Sequence, residues 1–387
     1  MRYDLIVMKF GGTSVENQER LLSVAKIIKK EVSLGKKVIA VVSAQGDTTD
    51  NLLALSKKIT NTPNLRELDV LLSTGEQISI ALLAMTLESI GVKAISLTGW
   101  QAGIKTCSNY SNARILDIFT DRIENELKNH DAIIIAGFQG INENDDITTM
   151  GRGGSDTTAV AIATAMNAKE CLIYTDVDGV YTADPRIVKN AKKIKEVSYD
   201  YMIKMADMGA QVLNKRSVRL AKKYGVEISV LSSILKNQGT KVREVDLNTK
   251  PVTSLTVEKD LFLLKFKSQD FDFVSEEIKK NKINVSDIFV KEPFCSILLN
   301  QTYLKQIQEL FVDFKDYETE LNLSKISVIC TNQDIIFDIF LKIKNTSENI
   351  PIKYANVCEC ISIILESKFN FCLVNKIHDL IYITKST

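Results

Sequence analysis

The sequence predicts an open, mainly parallel α/β sheet covered by helices on both faces, followed by a smaller α+β region that repeats itself. Three observations predict this. Over the first 240 or so residues, short β-branched runs alternate with stretches of helical periodicity. The residues of strongest chemical character stand directly after those runs, where open α/β sheets place their ligands. Beyond Lys250 and Pro251 the composition shifts: no glycine follows Gly239, while phenylalanine, isoleucine, lysine and asparagine become common.

Taken in order, Leu5 to Phe10 reads as a strand that ends at the Gly11-Gly12 turn. Leu21, Val24, Ala25, Ile28 and Val32 then mark one face of a helix that Gly35 can stop, and Lys37 to Ser43 is the next strand. Gly75 to Ile90 reads as a helix closed by Gly91. Val92 to Leu97, Ala132 to Ala136, Cys171 to Thr175 and Glu227 to Leu231 read as further strands. In the C-terminal region the order strand, helix, strand, strand, helix occurs from Leu261 and again from Lys325, with paired strands from Ile283 and from Ile350. Two ferredoxin-like units account for this most simply. The expected division is 1–242 and 252–387, the latter holding units of about 260–322 and about 323–387.

Composition narrows the class. The 387 residues are 45% hydrophobic, enough for more than one core, and 49 basic residues balance 48 acidic ones, so neither nucleic acid nor an anionic membrane is an expected partner. The N-terminal MRYDLIVMKFGG has no cleavage pattern and no apolar run reaches membrane-spanning length, which makes the cytoplasm the expected compartment. Seven scattered cysteines argue for reduced thiols. Cys358 and Cys360 are expected on one face of a strand, NVCECISIIL, with no second ligand pair for a metal. The two histidines, His130 and His378, stand outside every polar loop, so histidine is not the expected base.

The most informative segment is Gly151 to Thr158, GRGGSDTT, ahead of an alanine-rich helical stretch from Asp156 to Asn167. Its glycines let a backbone approach a ligand, and Ser155 and Asp156 stand where a helix N-terminus meets an anion. Arg152 can grip a carboxylate or phosphate, and Asp156 can hold an ammonium, so the loop suits a zwitterion. Lys9, before Gly11, Gly12, Thr13 and Ser14, can set an ammonium on a phosphate inside a wrap of backbone N–H groups. Thr175 to Arg186 follows a strand and turns at Gly179; it can hold a nucleotide, Tyr181 beside sugar and base and Arg186 near phosphates. Its DVDG lacks the closing glutamate of a calcium loop. Ser43 to Asp50 and Ser73 to Gln77 complete the set, with Glu76 the one acid in the apolar stretch Val70 to Leu87.

KFGGTS at Lys9, VSAQGDTTD at Val42, STGEQIS at Ser73, GFQG at Gly137, TTMGRGGSDTTAVAIA at Thr148 and YTDVDGVYTADPR at Tyr174 together resemble the successive motifs of the aspartate kinases, of the amino acid kinase fold. That family ends in two ACT domains, one inserted in the other, which agrees with the duplicated unit. The resemblance implies that ATP, with Mg2+, phosphorylates the β-carboxylate of L-aspartate to give 4-phospho-L-aspartate, opening the route to lysine, threonine and methionine. It implies a catalytic pair, Lys9 on the transferring phosphoryl group and Asp156. Ser43, Thr49, Glu76, Arg152 and Ser155 would hold aspartate, Arg152 on a carboxylate and Glu76 and Asp156 on the amino group. Gly11, Gly12, Thr175, Asp176, Tyr181 and Arg186 would join Lys9 in holding ATP, and no protein metal site is implied. A homodimer or higher homo-oligomer is expected by the same resemblance, with an amino-acid effector at the ACT domains. A carboxylate nucleophile, with a pKa near ~4, is already ionised at neutral pH, so the shortage of histidine is no obstacle.

Two departures from the family stand out. Gln211 occupies a place where aspartate kinases commonly carry a lysine that reaches ATP. The turns Lys267 to Phe271 and Thr331 to Ile335 lack the glycine and proline of the usual effector turn. Two alternatives stay open at this point: a kinase of another acidic amino acid, and a weakly active or non-catalytic amino-acid sensor.

Overall fold

The structure is a computed structural model that describes residues 4–235, 238–245, 253–314, 316–331, 335–346 and 350–382. The chain divides into two compact units, one of Met1–Val180, Lys193–Ala206 and Gln211–Asp246, the other of Tyr181–Lys192, Asp207–Ala210 and Leu247–Thr387.

The first unit is built on β1 (Leu5–Phe10), β2 (Lys37–Val42) and β3 (Ala94–Leu97), a small sheet from β4 (Ile104–Thr106) and β5 (Ile115–Ile118), then β6 (Ala132–Ala136), β7 (Gln139–Ile141), β8 (Ile147–Thr149), β9 (Glu170–Thr175), β10 (Glu196–Val197), β11 (Glu227–Ser232) and β12 (Thr240–Val242). The main sheet runs β10-β12-β11-β9-β1-β2-β6-β3 and the small one β5-β4-β7-β8. Every pairing in the main sheet is parallel except β11 with β12. Helices cover both faces, so the central strands are apolar throughout: β2, KVIAVV, is buried from its second residue on. Met8, Phe10, Val38, Ala40 and Val42 meet Leu21, Val24 and Ile28 of α1 (Gln18–Ser33) in one core. Each such side chain stabilises the fold by roughly 1.5 to 3 kcal/mol. Lys9, flanked by Val41 of β2 and Ile173 of β9, is the one charge in β1.

After α2 (Thr48–Ile59), the helix expected at Gly75 to Ile90 is the longer α3, Leu65–Ser89. Its start is set by Asn64, whose side chain accepts the Arg66 N–H at 2.9 Å. Gly75 lies mid-helix; a Cβ there would stand 2.8 Å from the Ala44 Cβ, so the glycine serves close packing and not a helix start. Contrary to the expectation of no such run, α3 is long and apolar enough to cross a membrane. Its Asp69, Ser73, Glu76 and Ser79 are buried together with Leu72, Ile80, Leu83 and Leu87, the mark of a core helix with polar work on one side. Further helices of this unit are α4 (Asp121–Leu127), α5 (Gly154–Ala165) and α6 (Lys215–Tyr224).

The second unit contains β13 (Thr253–Lys267), α7 (Phe271–Lys280), β14 (Val285–Lys291), β15 (Phe294–Asn300), α8 (Leu304–Leu310), β16 (Tyr317–Cys330), α9 (Ile336–Thr346), β17 (Ile352–Val357), β18 (Cys360–Glu366) and α10 (Asn370–Tyr382), in an antiparallel sheet of order β14-β15-β13-β16-β18-β17. β13 and β16 are long strands with register shifts between Glu258 and Leu263, where Asp260 and Asn322 take positive φ. On one side of that irregularity Phe262, Leu264 and Phe266 pack under Val274 and Ile278 of α7 and Ile307 of α8; on the other, Leu255, Ile326 and Val328 pack under Ile339 and Ile343 of α9 and Leu373 and Ile377 of α10. A third cluster, Leu261, Leu263, Leu298, Leu323 and Ile364, takes in Phe289 and Tyr354, whose rings stack at 4.5 Å. Those two rings come from the outermost strands, so the sheet folds back on itself. The expected strand through both cysteines is instead a hairpin: Cys358 is exposed at its turn and donates from its backbone N to the Cys360 carbonyl at 3.1 Å. No glycine or proline marks that turn in the sequence.

Candidate active site

The carboxyl ends of β1 and β2 and the middle of α3 converge. After β1, Gly12 accepts the Gly46 N–H at 3.1 Å, and a Cβ on Gly12 would stand 2.6 Å from the Ala44 carbonyl oxygen, so no other residue fits. The loops after β1 and β2 are thereby drawn together. With α5 and the loop before it they enclose a cavity of about 460 Å³ lined by Lys9, Gly12, Ser43, Thr49, Glu76, Arg152, Ser155 and Asp156, among others.

Lys9 Nζ lies 2.8 Å from Asp156 Oδ1, both side chains being 12% exposed. The contact is an ion pair, and Oδ1 makes no other hydrogen bond among the described residues. Asp156, Ser155 and Gly154 form the first turn of α5, whose N-cap Gly153 offers no side chain to its N–H groups. That end of the helix carries partial positive charge and free donors. An ammonium, a carboxylate with spare lone pairs and a bare helix N-terminus thus meet at one wall.

Glu76 stands mid-helix, not in the first turn of a helix as the sequence suggested. It is 3% exposed; Oε1 accepts the Ala44 N–H at 3.0 Å, and Oε2 has no partner among the described residues. Burial pushes its carboxyl up to about 7, outweighing the opposite pull of the Ala44 N–H. Arg152 is exposed, and among the described residues no hydrogen bond or ion pair holds its guanidinium, while its carbonyl accepts from Asn214 Nδ2 at 2.9 Å. The cavity therefore offers a free cation on one side and an incompletely satisfied carboxylate on another.

The other expected ligands are distributed differently. Gly11 donates to the Tyr174 carbonyl at 3.3 Å and lies beside Lys9 without lining the cavity. Thr175 and Asp176 sit at the end of β9, next to β1, with Thr175 Oγ1 donating to Asp176 Oδ1 at 2.9 Å; they too lie outside the cavity. Tyr181 and Arg186 belong to the second unit, where Arg186 pairs with Asp184 at 2.9 Å. Gln211 is exposed. Neither histidine lines the cavity: His130 Nδ1 is 3.2 Å from the Glu126 carboxylate, and His378 is buried with Nε2 3.0 Å from Thr182 Oγ1. Ser111, Phe138 and Thr149 line the cavity without having been given a role, although Phe138 and Thr149 fall within two of the quoted motifs, and Asp69 stands behind Ser111 and Thr149. Ser111 and Asp69 carry no sequence signal that separates them from an ordinary surface.

A parallel sheet with its ligand loops at the strand ends, and a cavity pairing lysine and arginine with two carboxylates, define a phosphotransferase that handles small charged molecules. The chain belongs to the amino acid kinase family, whose model matches residues 4–232. Within that family its relatives are aspartokinases: it is 41% identical to the aspartokinase of Geobacillus stearothermophilus, over 97% of this chain and 96% of that one. The fold matches the crystal structure of E. coli aspartokinase III in complex with aspartate and ADP, its R-state, with a TM-score of 0.80 at 21% identity, covering 97% of this chain and 99% of the other. It matches the same enzyme in complex with lysine and aspartate, the T-state, with a TM-score of 0.77 at 22% identity, covering 98% and 100%.

Proposed function

We propose that this protein is an aspartate kinase, transferring the γ-phosphoryl group of ATP to the β-carboxylate of L-aspartate to give 4-phospho-L-aspartate, on the route to lysine, threonine and methionine. The observation that carries this reading is the company kept by Glu76: a buried carboxylate with one unpartnered oxygen, in the same cavity as the free guanidinium of Arg152. A free amino acid needs both an anion for its ammonium and a cation for its carboxylate. An N-acetylated substrate would leave Glu76 without a role.

In this reading Arg152, Ser43, Thr49 and Ser155 hold the carboxylates of aspartate, and Glu76 and Asp156 hold its ammonium. Lys9 and the N-terminus of α5 face the charge that develops on the transferring phosphoryl group, in a wall dry enough to strengthen both. The nucleophile is ionised without a general base. Gly11, Gly12, Thr175 and Asp176, all of the first unit, are assigned to the nucleotide, and Tyr181 and Arg186 are assigned to it by the motif resemblance alone. Magnesium would enter with the ATP phosphates; Asp156, a carboxylate lining the same cavity, fits an ion that keeps most of its waters and takes one or two carboxylates. It would neutralise phosphate charge.

The second unit is read as two ACT domains, residues 261–323 nested within a domain made of 253–258 and 325–382. The strand order supports this reading, since each half takes two strands of its own, one part of each long strand β13 and β16, and two helices. An amino-acid effector there, and a homodimer joined through exposed apolar residues such as Phe273 and Phe337, fit the same reading, as does a cytoplasmic setting with ATP at hand. Trapping the product as a hydroxamate, with L-aspartate, L-glutamate and N-acetyl-L-glutamate offered in turn, tests the assignment: aspartate alone should give product, and equal turnover of glutamate would refute it.

A further inference from the structure

Asp69 lies on α3 two turns before Glu76 and is wholly buried. Four donors fill its two oxygens. The Ser111 N–H lies 3.0 and 2.8 Å from them and the Ser111 hydroxyl 3.0 Å, while Thr149 gives its N–H at 2.8 Å and its hydroxyl at 2.7 Å. Ser111 has φ +60°, a left-handed conformation that a serine holds only when its surroundings insist on it. Both Ser111 and Thr149 line the substrate cavity. The same strip of chain is tied further: the Ala113 N–H donates to the Thr149 carbonyl at 2.8 Å, and Arg216 of α6 donates to the Met150 carbonyl at 3.1 Å and to Asn112 Oδ1 at 2.5 Å. Thr149 is three residues before Arg152.

We infer that Asp69 is a positioning residue for substrate: by fixing Ser111 and Thr149 it sets the cavity wall and the place from which Arg152 presents its guanidinium. This rests on the aspartate kinase reading and deepens it. The oxygens of Asp69 are filled from within the protein, so it does not touch substrate; its action passes through Ser111 and Thr149. A residue that only fastens α3 to the small sheet would affect melting and leave substrate affinity alone, whereas a positioning residue moves the Michaelis constant for one substrate and spares the other.

Full-length wild type and the Asp69→Asn, Ser111→Ala and Thr149→Val variants should be compared for kcat and for both Michaelis constants, with melting temperatures alongside. In Asp69→Asn one oxygen becomes an amide NH2, which cannot accept from the facing N–H groups, so the KM for L-aspartate should rise about tenfold or more while the KM for ATP stays within about twofold. Ser111→Ala and Thr149→Val each remove one hydroxyl and keep the backbone bonds; each should raise the KM for aspartate by about three- to tenfold, with kcat changing less. Should Asp69→Asn fail to fold, these two decide. Lowered melting with an unchanged KM for aspartate, or equal shifts in both Michaelis constants, would overturn the inference while leaving the kinase reading intact. A wild-type protein without aspartate-dependent turnover would remove both.

Discussion

Asp69 and Glu76 lie seven residues apart on one side of α3, both buried, and differ in how their oxygens are occupied: four donors surround Asp69, whereas Glu76 receives a single N–H and keeps Oε2 empty-handed. An unmet buried oxygen is costly, and an ammonium is the partner that would meet it best. The two acids therefore divide the labour, one ordering the wall and one receiving the ligand.

A pH dependence follows from Glu76. With its carboxyl raised to about 7, it is largely protonated in the free enzyme below neutrality, and aspartate's ammonium must displace that proton. The KM for aspartate should fall as pH rises from 6 to 8. Glu76→Gln should flatten the profile and raise that KM by at least about tenfold, or roughly 1.4 kcal/mol. Stability has the opposite sign: an unfolded glutamate ionises near ~4.3 while the folded one stays protonated, so stability declines between there and pH 7, by roughly 3 to 4 kcal/mol from this group. Melting curves of the substrate-free Glu76→Gln protein should lack that decline.

Lys9 faces developing charge, so Lys9→Ala should lower kcat by about a hundredfold or more with little change in the KM for aspartate. It also leaves Asp156 buried beside an empty place, at a cost of roughly 3 kcal/mol or more in stability. Steady-state kinetics and a thermal melt on one preparation separate the two effects, and an unchanged kcat would remove Lys9 from the mechanism.

Arg152 supplies the contrast. Its guanidinium is exposed and no described residue holds it, so Arg152→Ala should leave the melting temperature unaltered while the KM for aspartate rises at least about tenfold. ATP affinity should hardly move. Collapse of ATP binding with aspartate binding preserved would show that the loop serves the nucleotide.

The sequence made most of this legible where chemistry forces a rare pattern. Glycines beside a lysine, and a guanidinium with an acid at a helix start, have few uses other than charge recognition, so Lys9, Arg152 and Asp156 stood out and do share a cavity. Glu76 was visible as a lone acid in an apolar stretch, but its place mid-helix was not, because Ser73, Thr74 and Gly75 imitate a helix start and only packing on Ala44 explains that glycine. Asp69 was invisible: in one dimension it is an ordinary helix acid, and its four donors come from residues about 40 and 80 positions away. In the second unit the alternation of Phe262, Leu264 and Phe266 revealed the strands, whereas the folding of the sheet onto itself depends on the irregularity at Asp260, which no residue type announces.

Regulation should be weak. An effector carboxylate docks on backbone N–H groups that a glycine turn exposes, but the Lys267 to Phe271 turn carries side chains, and the Ser268 N–H is already given to the Pro293 carbonyl at 2.9 Å. In the second turn Asn332, Gln333 and Asp334 lie outside the described residues. Millimolar lysine and threonine, singly and together, should leave initial rates nearly unchanged, with any coupling below the roughly 1 to 3 kcal/mol of ordinary allosteric pairs. Strong inhibition by either would show a working effector site.

Phosphorus NMR of the purified protein with ATP, Mg2+ and L-aspartate tests the central claim most directly, since it reports the chemical form of the transferred phosphoryl group. An acyl phosphate signal should grow as ADP appears, vanish on adding hydroxylamine to leave aspartate β-hydroxamate, and be absent when N-acetyl-L-glutamate replaces aspartate. ATP left intact, or converted only to ADP and inorganic phosphate at a rate indifferent to aspartate, would contradict the claim.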